Sequence, residues 1–464
     1  MYQTVSFDAR LLRRYDVKGP RYTSYPTAVQ FTDRFGVSEY RQAVTSSNEV
    51  PVPKPLSVYV HIPFCASPCF YCGCTRIITR DPQKARLYLE RLHSEIEWQS
   101  ELFARGRKVE QLHFGGGTPT FLDMGQMENL MAMLDRHFTL AHDDSREFSI
   151  EIDPRTVQTD TIERLAEMGF NRISLGVQDF DPHVQEAVNR IQSVESTLAV
   201  IDDARRAGIA STNLDLIYGL PFQSLAGFSR TLDTVVAAKP ERLAVYSYAH
   251  LPQMFKAQRR IKEATLPSAE TKLALLGLAI EELTEAGYIY IGMDHFALPE
   301  DELVVAQKKG ELQRNFQGYS TRADCDMIGL GMSSIGKVAD TYSQNAKDIT
   351  GYYAALDEGR LPAVRGVKLT DDDRLRRDVI QQIMCQGELV FADFERRANL
   401  DFSGYFRTSI ARLESLAADG LIDLDAKRLV ATPTGRLLLR VVAMSFDAYA
   451  SHAVDDRDRY SRVI

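Results

Sequence analysis

The chain has 464 residues, 25% charged and 44% hydrophobic, with a formal net charge of −8. That balance is that of a globular protein long enough for two or three domains. It argues against broad nucleic-acid binding, which needs Lys and Arg to neutralise phosphates. No apolar run approaches the roughly 20 residues that span a bilayer.

Met1–Asp8 carries neither a basic region nor an apolar run, so no signal peptide is expected and the protein is read as cytoplasmic. Nothing demands a partner chain, and a monomer is expected. Three regions are predicted: an N-terminal arm over 1–55, a partial barrel with an extension over 56–364, and a mostly helical region over 365–464. In the arm, Arg21-Tyr-Thr-Ser-Tyr-Pro26 has two readings of equal weight. It is a lid over a flat anionic ligand, the arginine pairing with a carboxylate, or an irregular arm packed on the barrel.

Leu56–Ile62 reads as a buried strand that feeds a cysteine loop, Cys65-Ala-Ser-Pro-Cys69-Phe-Tyr-Cys72-Gly-Cys74. The other two of the six cysteines, Cys325 and Cys385, are isolated, which disfavours a disulfide framework. Zinc sites usually pair distant C-x2-C units, and no second pair exists. Three thiolates at C-x3-C-x2-C spacing suit three irons of a cubane cluster and leave the fourth iron open, whereas an electron carrier uses four. Cys74, two residues beyond Cys72, is expected to point away from the cluster.

Gln83–Phe103 reads as an amphipathic helix and Val109–Phe114 as a strand, followed by Gly115-Gly-Gly-Thr-Pro119 and a helical pattern to about His137. The alternation continues with strands near Phe148–Ile152, Arg172–Val177, Asn213–Ile217 and Leu243–Tyr248. Helical patterns intervene at Thr159–Met168, Val194–Ala207 and Leu225–Ala238. Strands separated by helices imply parallel βαβ crossovers. The fold class is α/β, a partial (β/α)6 barrel with an arm and a helical C-terminal domain.

Polar residues gather at the strand ends: Glu151, Asp153, Gln178, Asp179, Asp215, Tyr248 and His250. Barrels carry active sites at those ends. Helix capping explains Asp153 as well as function does. Asp215, inside an apolar strand, needs a partner, and a ligand contact is expected. The glycine turn is neither a dinucleotide fingerprint nor a Walker loop. It suits close approach of a ligand to the backbone. Arg190 reads by itself as a charge on a surface helix, and Tyr59 as a core residue.

The cysteine loop, the glycine turn and the partial barrel together resemble the radical S-adenosylmethionine (SAM) superfamily. Tyr59-Val-His-Ile-Pro-Phe-Cys65, Cys72-Gly-Cys74, Pro20–Thr27, Gly292–Ala297, Asn315–Tyr319 and Ser461–Ile464 narrow this further. They resemble the oxygen-independent coproporphyrinogen-III oxidase family, nearly end to end. The resemblance implies one [4Fe–4S] cluster on Cys65, Cys69 and Cys72, with Cys74 not a ligand. It implies two SAM molecules, one touching Tyr59, Gly116, Glu151 and Ile335. The second touches Tyr71, Gly117, Thr118, Gln178, Arg190, Asp215 and Ala249. It implies oxidative decarboxylation of two propionates of coproporphyrinogen III to vinyls, started by hydrogen abstraction by a 5′-deoxyadenosyl radical, with an unidentified electron donor and acceptor.

Two alternatives stay open. One is the haem-carrier branch of the same superfamily. The other is an iron–sulfur-sensing DNA-binding regulator, because Leu421–Ala431 reads as a hairpin after a helix, as in a winged helix-turn-helix. From Arg365 to Ile464 there are 16 Lys/Arg and 16 Asp/Glu, which disfavours a DNA reader.

Overall fold

The structure, a computed structural model, describes residues 5–322, 325–450 and 460–463. The first four residues of the N-terminal octapeptide and Ile464 of the terminal motif lie outside them.

Six strands form the centre: β1 (Leu56–Ile62), β2 (Lys108–Gly116), β3 (Glu147–Ile152), β4 (Arg172–Gln178), β5 (Ser211–Tyr218) and β6 (Arg242–Ser247). Each pairs in parallel with the next. The crossover helices are Pro82–Ser100, Met124–His137, Thr161–Glu167, Val194–Arg206 and Leu225–Ala238. Their starts are written in the sequence. Asp81 accepts the Gln83 N–H ahead of Pro82, and Asp123 and Gln126 form a reciprocal capping box. Ser193 and Ser224 accept the Ser196 and Gly227 N–H groups.

The strands alternate through much of their length. Val58, Val60 and Ile62, Leu112 and Phe114, Ile150 and Ile152, and Leu214 and Leu216 are buried under the helices. Tyr59, His113, Glu151, Ser174 and Asp215 occupy the intervening positions and line cavities on the other face. The lumen is therefore polar while the outer face holds the core.

The sheet runs beyond the six predicted strands at both edges. β7 (Ile289–Gly292) and β8 (His295–Ala297) form a hairpin whose second strand pairs antiparallel with β6. At the other edge β9 (Asp326–Leu330) pairs in parallel with β1. It continues antiparallel through β10 (Ile335–Val338), β11 (Thr341–Asn345) and β12 (Ala363–Lys368). β12 thus crosses the expected division at residue 364.

The C-terminal region orders a helix, Asp371–Gln386, a strand, Glu388–Val390, two helices, Phe391–Ala398 and Arg407–Ala418, and a hairpin, Ile422–Leu424 with Arg428–Ala431. This is the winged-helix order anticipated from the hairpin. Its apolar face packs on the N-terminal arm and β7 rather than lying free: Leu11, Tyr22, Tyr25, Ile291, Ile383 and Phe446 share one core.

That packing favours the packed-arm reading over a lid. Tyr22 and Tyr25 are 5% and 1% exposed. Tyr22 Oη donates to Asp447 at 2.9 Å, and Tyr25 Oη accepts the Ala448 N–H at 3.0 Å. Arg21 is committed to Asp294 at 2.6 Å and lies over the Tyr246 ring. The arm is a wall held by buried hydroxyls, not a cover free to move over a ligand.

Candidate active site

Cys65, Cys69, Cys72 and Cys74 border one cavity of about 170 Å³ at the C-terminal end of the barrel. Its wall also contains Tyr71, Gly116, Gly117, Thr118, Glu151, Asp153, Gln178, Arg190 and Asp215. Residues scattered over 150 positions of sequence are thus brought together by adjacent strands and the loops that follow them.

The cysteine loop is held by its own backbone. Arg76 donates to the carbonyls of Cys69 and Cys72 at 3.2 and 3.0 Å. His61 Nε2 is 3.0 Å from the Thr75 carbonyl. The glycine turn supports the loop from below. A Cβ on Gly117 would lie 2.7 Å from the Pro63 carbonyl, and one on Gly116, at φ +117°, 2.6 Å from the His61 ring. Those positions are glycine first because the end of β1 and the residues that follow it, His61–Phe64, pack on them ahead of the cysteine loop; the ligand-approach reading accounts for only part of the motif.

Each of the three spaced sulfurs receives a donor. Thr118 Oγ1 donates to Cys65 Sγ at 3.4 Å. Arg190 Nη1 and Arg155 Nη2 donate to Cys69 Sγ at 3.5 and 3.6 Å. The Cys74 N–H donates to Cys72 Sγ at 3.4 Å. A hydrogen bond from the Cys74 side chain, against the opposing effect of burial, brings the Cys72 thiol down to about 6, helped by Arg76. Burial pushes Cys65 up to about 11. Cys74 is exposed, and it borders the same cavity as the other three cysteines of the loop.

Arg190 is no surface charge. It is 6% exposed, in the loop after the short helix Pro182–Ala187. Its Nε donates to the Gly176 carbonyl at 3.1 Å, and Nη1 lies 3.2 Å from Asp153. Asp153 meets the capping reading. It caps Pro154–Thr156, and its carboxylate joins Arg155 at 2.6 Å to Arg190. Burial opposes its ionisation, but the two arginines hold it below the usual aspartate range.

Glu151 sits at the junction of the cavities, bordering the cysteine cavity and two further lumen cavities. It accepts the Gly116 N–H at 3.1 Å and lies 3.4 Å from His113 Nε2. Burial works against its charge, yet these contacts keep its carboxyl below the usual glutamate range. Asp215 differs. It accepts from Asn213 at 2.9 Å and Ser174 at 3.3 Å, but burial and the charge of Glu151 push it up to about 7. Among the described residues it has no ion pair within 4 Å.

Tyr59 is not a core residue. It borders the lumen, its ring stacked on His113 at 5.7 Å, in one cavity with Glu151 and Ile335. Tyr59 and Ile335 meet the cysteine cavity only through Glu151. Ala249 is not in the cysteine-cavity wall but is tied to it, since Gln258 Nε2 donates to the carbonyls of both Tyr71 and Ala249. Gln178 borders the cavity at φ +68°, where β4 bulges between Gly176 and Gln178. Sequence reasoning missed Arg155, Arg76 and His113. Arg76 follows directly on the cysteine loop; for the other two only pairing across strands reveals the role.

Residues 59–235 match the model of the radical SAM superfamily, and 369–438 match that of the HemN C-terminal domain. The oxygen-independent coproporphyrinogen III oxidase of Pseudomonas aeruginosa is 52% identical over the full length of both chains. That of Escherichia coli is 47% identical over 100% of this chain and 99% of its own. The solved Escherichia coli coproporphyrinogen III oxidase, described as a radical SAM enzyme, superposes with a TM-score of 0.92 at 46% identity, covering 96% of this chain and 100% of that one. The chain belongs to the oxygen-independent coproporphyrinogen III oxidase family. As a radical SAM family member it takes a [4Fe–4S] cluster and SAM, and the oxidase reading stands over the haem-carrier and regulator alternatives.

The sulfur environment of this family member fits the cluster. Among the described residues no three His, Cys, Asp or Glu side chains converge on one metal ion. Three thiols instead share a cavity wall, each with a donor aimed at its sulfur. Ligand sulfurs of iron–sulfur clusters accept such bonds, and the bonds set the potential.

Proposed function

We propose that this chain converts coproporphyrinogen III to protoporphyrinogen IX, with one [4Fe–4S] cluster held by Cys65, Cys69 and Cys72 and two SAM molecules in the adjoining cavities. Bound there, the reduced cluster and SAM supply a 5′-deoxyadenosyl radical, able to take a hydrogen atom from an unactivated propionate carbon that no side-chain base can deprotonate. The observation that carries the reading is the continuity at Glu151: one carboxylate borders both the thiol cavity and the polar barrel lumen.

The chain's own residues bind and orient. Tyr59, Gly116, Glu151 and Ile335 are the contacts of the first SAM. Glu151 is ionised there and faces an ammonium group. Tyr71, Gly117, Thr118, Gln178, Arg190, Asp215 and Ala249 are those of the second. Asp215 regains its charge when an ammonium approaches, which couples its ionisation to binding. Arg190 and Arg155 stabilise negative charge on the Cys69 sulfur. Cys74 supports Cys72 without ligating iron. The division at residue 55, a monomeric state, a cytoplasmic location, and an external electron donor and acceptor belong to the same proposal.

The test is an anaerobic assay of the full chain with reconstituted cluster, reductant, SAM and coproporphyrinogen III. Protoporphyrinogen IX is expected with two 5′-deoxyadenosines and two carbon dioxides per product, and β-carbon deuterium in the deoxyadenosine. Tight haem binding with no turnover overturns the reading.

A further inference from the structure

A second polar cavity lies beyond the lumen, between the arm, β10 and the helix Asp371–Gln386. Four cationic side chains border it, Arg314, Arg322, Lys337 and Arg377, and among the described residues no carboxylate does. Two of the four are neutralised from behind. Arg377 bonds Asp378 at 3.1 Å, and Arg322 meets Glu110 at 3.2 Å.

The other two are not. Arg314 is 7% exposed, and its Nε and Nη1 are buried without any hydrogen-bond partner. The guanidinium stacks over the Tyr319 ring at 4.9 Å. Among the described residues Lys337 has no ion pair within 4 Å. Burial, with Arg377 and Lys54 nearby and Asp326 and Asp378 opposing, brings its ammonium down to about 8. A buried guanidinium with unmet N–H groups costs free energy unless a ligand supplies the acceptors. The fork of Arg314 fits a carboxylate, and the Lys337 ammonium on the wall of the same cavity adds charge.

The cavity is also placed for the substrate. It shares Phe316 and Met327 with the lumen cavity of Tyr59, Glu151 and Ile335, which in turn meets the cysteine cavity at Glu151. It is therefore two cavities removed from the thiols. The wall that the lid reading placed over the ligand, Tyr22 to Tyr25, closes its far side.

We propose that Arg314 and Lys337 bind a propionate carboxylate of coproporphyrinogen III that is not reacting, anchoring the tetrapyrrole while another propionate lies near the cluster. The proposal rests on the coproporphyrinogen reading of the chain. Two of the four propionates survive in the product, so the anchored group persists through turnover.

Arg314→Met and Lys337→Met in the reconstituted full chain test it. The KM for coproporphyrinogen III is expected to rise about tenfold to a hundredfold in each, the size of one lost charge-assisted hydrogen bond, while the KM for SAM moves less than threefold. Arg314→Lys should recover part of the loss. Cluster absorbance and melting temperature report folding; if Arg314→Met does not fold, Lys337→Met carries the test. A wild-type chain that turns over coproporphyrinogen III, with porphyrinogen KM unchanged in the folded variants, overturns the anchor alone. A wild-type chain without turnover overturns the parent reading instead.

Discussion

Arg190 Nη1 lies 3.5 Å from Cys69 Sγ and 3.2 Å from Asp153, so one buried guanidinium joins the cluster loop to the end of β3. Asp153 keeps Arg155 at 2.6 Å when Arg190 is removed, so no buried carboxylate is stranded. Arg190→Gln should therefore fold and keep its iron. Losing a charged donor to a ligand sulfur should make the cluster harder to reduce. An EPR-monitored redox titration should show a more negative midpoint; an unchanged midpoint places Arg190 outside the cluster's electrostatics.

Cys65→Ala, Cys69→Ala and Cys72→Ala should each lose the cluster, since three ligands leave no spare. Cys74→Ala should keep it. The Cys74 side chain bonds Cys72, so its loss should raise the Cys72 thiol above its value of about 6 in the cluster-free protein. Iron analysis and the pH dependence of thiol alkylation measure the two effects. Equal iron loss in all four variants would make Cys74 a ligand.

Glu151→Gln keeps an oxygen for the Gly116 N–H but loses the charge. SAM affinity should fall about ten- to a hundredfold, the size of one charge-assisted hydrogen bond, with iron content unchanged. Equilibrium binding on the reconstituted protein checks this. Unaltered affinity would leave Glu151 a structural partner of His113.

Asp215 gives a pH signature. Its folded value of about 7 lies above the unfolded one, so the folded state holds the proton more tightly. Its contribution to stability is full at acid pH below the unfolded value and is lost as pH rises through about 7. In the ligand-free protein Asp215→Asn should remove that loss, and its melting temperature should gain on wild type between pH 5 and pH 8. SAM should restore wild-type stability at pH 8, because an ammonium beside Asp215 favours its charged form. Parallel melting curves at both pH values would refute this.

The six parallel strands and five crossover helices were legible because burial writes itself into the sequence as alternation, and caps as Asp or Ser ahead of a helix. The cysteine spacing was legible for a similar reason: ligands of one cluster sit on one short loop. The strands at the sheet edges were not, since β9 pairs with β1 across some 270 residues and its five residues are all buried, without alternation. Arg190, Tyr59 and the arm show the limit most clearly. Taken alone, Arg190 reads as a surface charge, Tyr59 as core, and Arg21–Pro26 equally as a lid or as an arm packed on the barrel. Long-range packing made the first a buried donor to sulfur, the second a lumen residue and the third a wall. A side chain's type is local, but its partners are chosen by elements distant in sequence. Periodicity and spacing therefore determined the barrel and its cysteine loop, while only the tertiary structure decided which charges meet the sulfurs and which N–H groups, those of Arg314 Nε and Nη1, find no hydrogen-bond partner among the described residues.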